Sequence, residues 1–182
     1  MSPNSDPNNS KNDKNSTQSI GRGMYALAWL VAIALLTVLF SGVEEKRINP
    51  NQNPEVRNQN GFTEVVLKQN RQGHYVTSGY INGKEVIFLL DTGATDVSVP
   101  EHMADNLNIS KGRSIQVSTA NGTITAYQSW IAALKIGELN INDVDANINP
   151  GMDDDFILLG MSALKKVEFT QRGDTLTLRA YQ

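Results

Sequence analysis

The chain has 182 residues, no cysteine, two histidines and a formal net charge of −3. Without cysteine there is no disulfide, no thiolate zinc site and no thiol nucleophile, and His74 and His102 alone do not make a His-rich metal centre. From residue 62 onward ten Lys and Arg stand against fourteen Asp and Glu, a scattered net-acidic surface that argues against nucleic acid as a partner.

Residues 1–23 are rich in Asn, Ser and Lys and too poor in apolar side chains to fold, which predicts a disordered tail. Met24–Val43 ("MYALAWLVAIALLTVLFSGV") follows without a single charge. Twenty such residues at about 1.5 Å each cover roughly 30 Å, enough to cross the hydrocarbon core. A cleaved signal peptide is the other reading; against it stand the long preceding tail and the lack of a clear small-x-small cleavage site. Lys and Arg near the two ends are balanced three against three, so charge does not set the orientation. Residues 44–61 are polar, Asn-rich and hold two prolines, which predicts a linker. A folded domain is expected over 62–182.

Period-2 alternation dominates that domain from residue 74. "HYVTSGYI" and "KEVIFLL" flank Asn82-Gly83, a strong hairpin signal, and the second run is apolar on both faces, so a central buried strand is predicted there. Pro100 opens a short helix in which Met103, Ala104 and Leu107 share a face. "SIQVSTANGTITAYQSW" predicts a longer hairpin turning at Asn121-Gly122. Further strands turn at Gly137, "DFILL" is a short strand ending at Gly160, "MSALKK" is a helical turn, and a hairpin around Gly173 closes the chain. The expected fold is mostly β, a small barrel or sandwich with one or two short helices, preceded by a single transmembrane helix. Arg172-Gly173-Asp174 is a hairpin turn before it is an integrin-type motif.

Within "VIFLLDTGATDVSVP", residues 86–100, five apolar residues run into Asp91 and a Thr-Gly-Ala-Thr turn, and Val97 and Val99 then resume the alternation. Read plainly, Asp starts a turn and Gly supplies its backbone freedom. Read chemically, an apolar strand that ends in a carboxylate makes a costly charge unless that charge is paired or used. Asp153-Asp154-Asp155 lies in a loop bounded by Pro and Gly and reads as solvated acid, with a weak calcium site as the alternative.

The stretch 89–95 (apolar-apolar-Asp-Thr-Gly-Ala-Thr), the later Leu158-Leu159-Gly160 and the Asn-Gly hairpin between them resemble the retropepsin-like aspartic proteases. Similarity to bacterial membrane-anchored members extends to Gly-Arg-Gly-Met at 21–24, "TANG" at 119–122 and "LLGMSAL" at 158–164. The resemblance implies a small closed retropepsin-like barrel and a peptide hydrolase without metal or cofactor, acting on peptide or protein substrates. It also implies a single-pass inner-membrane protein whose protease domain faces the periplasm. Asp91 is then the catalytic group. Thr92 would hydrogen-bond to the partner's loop, Gly93 would offer its N–H to the carboxylate, and Ala94 completes the turn. Leu158, Leu159 and Gly160 would pack behind it, and Ala120, Asn121, Gly122 and Thr123 would form a flap over substrate. A plain hairpin remains the other reading of that last element. Two departures stand out: Met161 where retroviral relatives carry Arg, and Thr95 where they often carry an acid.

Aspartate-driven peptide hydrolysis needs two carboxylates sharing one proton, because like charges about 3 Å apart do not both ionise. The chain holds one Asp-Thr-Gly. The second carboxylate is therefore expected from another copy across a two-fold axis, in a homodimer. Two other readings compete: an inert retropepsin-fold module binding peptides or a membrane partner, and a structural barrel in which Asp91 is a satisfied core group.

Overall fold

The computed structural model describes residues 14–59, 61–119 and 122–181, with side chains described outside 14–22 and 40–44. The chain divides into two compact units, one up to Glu44 and one from Glu45 onward. Helix α1 runs Lys14–Ile48. The unit from Glu45 holds β1 (Glu55–Gln59), β2 (Phe62–Lys68), β3 (Val76–Ile81), β4 (Lys84–Leu90), β5 (Val97–Pro100), α2 (Glu101–Ala104) and β6 (Ser114–Thr119). It continues through β7 (Gly122–Ile136), β8 (Leu139–Asn149), β9 (Phe156–Leu159), α3 (Met161–Leu164), β10 (Glu168–Arg172) and β11 (Thr175–Tyr181).

In the first unit α1 exposes apolar side chains, among them Tyr25, Trp29, Leu30, Val38 and Leu39. Part of the expected tail, from Lys14, is helical rather than disordered. The expected span Met24–Val43 lies partly outside the described side chains, and among the described residues no helix is long and apolar enough to cross a membrane.

Two sheets build the second unit. Strands run β1-β2-β11-β10 in one and β3-β4-β9-β5-β8-β7-β6 in the other. An added pairing of Tyr80 and Ile81 with Lys135 and Leu134 joins β3 to β7, which closes the larger sheet into a barrel with β6 hanging from β7. Asn82 and Gly83 take φ of 49° and 80°, the two left-handed positions that a tight hairpin between right-twisted strands needs. Val65, Leu67, Phe88, Val97, Ile131, Ile148, Ile157, Leu159 and Leu178 are fully buried. Each contributes about 1.5–3 kcal/mol through the apolar surface it removes from water.

Three expectations are corrected. The stretch 44–61 is not a free linker, because β1 pairs with β2 and Asn49 and Asn51 are each only 4% exposed. The Asn51 side chain bridges two strands: Nδ2 donates to Lys68 O (2.9 Å) and Val76 O (2.7 Å), and Oδ1 accepts from Lys68 N (2.7 Å). Asparagine-rich composition imitates a flexible segment, yet here the amides are structural staples. The strand β4 is central but not buried on both faces. Val86 and Phe88 enter the core, whereas Ile87, Leu89 and Leu90 are half-buried. Pro100 closes β5 and caps α2 rather than standing inside it.

Candidate active site

Two strands and the turn after each build the site. β4 runs parallel to β9, with Leu89 opposite Leu158 and Leu90 opposite Leu159. Beyond β4 the ladder continues one residue, Asp91 N donating to Leu159 O (3.2 Å), so the carboxylate starts from a fixed backbone. The turn folds onto that group: Gly93 N donates to Asp91 Oδ1 at 2.8 Å and Ala94 N to Asp91 O at 3.2 Å.

Behind the turn the fit is tight. A Cβ on Gly160 would stand 2.2 Å from Asp96 O and 2.8 Å from Ala94 O, so only glycine lets β9 pass there. Met161 N and Ser162 N then donate to Ala94 O and Thr95 O, each at 2.8 Å. Ser162 Oγ accepts from Val97 N (3.0 Å) and donates to Asp145 O (2.7 Å), locking α3 to β5 and β8. Leu159 is buried, Leu158 is half-buried, and Met161 packs partly buried against the core.

Asp91 and Ala94 are half-exposed, and Thr92 and Gly93 are exposed on this single chain. Asp91, Gly93 and Ala94 open onto a cleft of about 750 Å³. Its other walls are Thr95, Asp96, Ser98, Asn147, Asn149 and Leu158, and the β6 arm from Ile115 to Thr119. The hairpin expected over substrate is present, with Thr119 opposite Gly122 and Ser118 opposite Thr123. Ala120 and Asn121, its expected tip, lie outside the described residues. Gly122 and Thr123 are exposed and do not line the cleft.

Several wall residues belong to no motif in the sequence. Ser98, Asn147 and Asn149 are only 6%, 4% and 7% exposed. Their signal is alternation: each lies between apolar neighbours in "DVSVP" and "DANINP", which put it on the face opposite the core. Asp96 also faces the cleft. Burial pushes its pKa up, Asp145 beside it pushes further, and Lys165 partly offsets them. Asp155 lies in an exposed loop against His102, Nε2 to Oδ1 3.1 Å. Among the described residues no group of three or more His, Cys, Asp or Glu side chains could hold a metal ion.

An Asp-Thr-Gly turn braced by a parallel strand and an apolar-apolar-Gly behind it, on a closed barrel with a hairpin beside the cleft, is the arrangement of the retropepsin-like aspartic proteases. This chain shares that fold and those motifs. A family described as "gag-polyprotein putative aspartyl protease" matches residues 77–166. An uncharacterised protein in the cobV 5′ region of Sinorhizobium sp. is 30% identical over 134 residues, 71% of this chain and 58% of that one. An uncharacterised protein of Rickettsia prowazekii (strain Madrid E) is 26% identical over 106 residues, 57% of this chain and 45% of the relative. The chain thus spans about half the length of these relatives. A retropepsin-like aspartic protease from Rickettsia conorii superposes with a TM-score of 0.55 at 25% identity, covering 70% of this chain and 94% of that structure.

Proposed function

We propose that the chain is an aspartic endopeptidase that hydrolyses peptide bonds with two Asp91 carboxylates, one from each copy in a homodimer. The observation that carries this reading is the open half-site. Asp91 is held by Gly93 N at the edge of a large cleft, with Thr92 and Gly93 exposed around it. A two-fold axis beside that turn would bring the two carboxylates together. Sharing one proton, the ionised Asp91 accepts a proton from the attacking water while the protonated one hydrogen-bonds the scissile carbonyl. Water oxygen bonds to the carbonyl carbon, and the C–N bond breaks as the amine leaves with a proton from the pair.

Half-buried Leu158 and Ile115 and Val117 on the β6 arm line the cleft and suit apolar substrate side chains, and the β6–β7 hairpin suits a cover that excludes water. The proposal places Met24–Val43 in the inner membrane and the protease unit in the periplasm. The uncharged length of that stretch supports the anchor, and similarity to membrane-anchored bacterial members supports the side. Confinement to one membrane raises the effective concentration of the two halves. The test is cleavage of unfolded casein at mildly acidic pH by the detergent-solubilised full chain, with Asp91→Asn beside it. Wild type is expected to cut and the variant not; equal cleavage by both would sink the mechanism.

A further inference from the structure

The floor of the cleft changes chemistry across a single row of side chains. Strand register places Leu89 beside Leu158, Leu158 beside Ser98, and Ser98 beside Asn147, all on one face. The half nearest the Asp91 strand is apolar. The other half is polar, and it is built rather than merely wet. Ser98 Oγ donates to Asn147 Oδ1 at 2.8 Å, and Gly151 N donates to Asn149 Oδ1 at 2.8 Å. Both amide oxygens are thus engaged within the fold. Each leaves an Nδ2 donor without a hydrogen-bond partner among the described residues, on side chains more than nine-tenths buried that line the cleft. Both donors are open to the cleft, so water serves them when it is empty and a ligand that displaces that water must supply an acceptor. Asp96, on the same cleft, supplies an acceptor.

Resting on the protease reading, we infer that this half of the cleft is a subsite for a primary carboxamide, so that the enzyme selects glutamine or asparagine close to the scissile bond. The carboxamide oxygen would accept from the Asn147 and Asn149 amides while its NH2 donates to Asp96. A carboxylate, an ammonium and an alkyl side chain each fail at least one of the two requirements. A carboxylate would meet Asp96 as a like charge, an ammonium would meet two donors, and an alkyl side chain would leave the asparagine donors dry and unpaired. Rejection of an isostere that lacks a needed hydrogen-bonding group is the strongest form of discrimination open to a binding site.

The experiment is cleavage-site profiling of a random peptide library by the full chain in detergent, wild type against Asn147→Asp and Asn149→Asp. These substitutions preserve shape and swap the amide donor for an acceptor. For wild type, glutamine or asparagine should be enriched about tenfold over leucine and methionine at one fixed position within three residues of the cut. In the variants that enrichment should collapse and lysine should gain at the same position. Cleavage by wild type without amide enrichment at any position overturns the subsite while leaving the protease reading intact. Enrichment unchanged in both variants also overturns it. No cleavage by wild type overturns the protease reading and this inference together. The wild-type profile decides even if a variant fails to fold.

Discussion

Gly160 lies so close beneath Asp96 that a Cβ there would stand 2.2 Å from the Asp96 carbonyl oxygen. No rotamer relieves this, because the obstacle is backbone and Ala94 O adds a second contact at 2.8 Å. Gly160→Ala must push β9 away from the turn that carries Asp91. The expected loss is about 3 kcal/mol, seen as a fall in Tm on the order of 10 °C. A melt matching wild type would show that the turn gives way at little cost.

Asn51 holds the segment before β1 to the body through three side-chain hydrogen bonds to the backbone of Lys68 and Val76. Its removal strands buried donors and acceptors, so Asn51→Ala should cost about 2–3 kcal/mol. Limited proteolysis reads the same feature locally. Residues 49–59 should resist cleavage in wild type and become the first cut in the variant. Early cutting there in wild type would restore the linker that composition suggested.

Asp96 gives a pH signature. Its carboxyl is raised above the ordinary value in the fold, so the folded state holds its proton more tightly than the unfolded chain does. The penalty for ionising it is absent below about pH 4, where both states are protonated, and grows as pH climbs through the window above. Asp96→Asn should therefore raise Tm at pH 7, and that gain should shrink toward zero near pH 4. A gain that is constant with pH, or a loss at pH 7, would contradict the assignment.

Anchoring is checked by fractionation. The full chain should stay with membranes through high salt and alkaline carbonate and dissolve only in detergent, while a chain lacking residues 1–43 should wash free. Release of the full chain by salt alone would remove Met24–Val43 as a span.

Much of this is legible in the sequence. The Asn82-Gly83 hairpin, the apolar run into Asp91 and the Gly after Leu158-Leu159 all depend on local rules: turn dihedrals, alternation, close backbone approach. The rest depends on long-range pairing. Phe62–Lys68 alternates too imperfectly to announce β2, and β1 is a short, mostly exposed edge strand that only its partner defines. The half-exposure of Ile87 and Leu89 is set by how little packs over that face of β4, not by their type. In the site, Asp91 announced itself through its context, whereas Asn147 and Asn149 looked like ordinary strand polar positions. Only the β5–β8 register sets them on the floor beside Ser98. In β8 the buried positions shift from Leu139 and Ile141 to Val144, Ala146 and Ile148, with Asp143 at φ 56° between them. That slip is visible in the sequence once the barrel supplies a reason for it.

The central claim is that one chain carries half a site. Wild type and Asp91→Asn should be co-refolded in varied ratio at constant total chain, and peptide cleavage measured for each mixture. If both Asp91 carboxylates are needed, activity falls as the square of the wild-type fraction, so an equal mixture keeps roughly a quarter of the full rate. A linear fall, with the equal mixture keeping roughly half, would mean that a single chain completes its own site and would contradict the account.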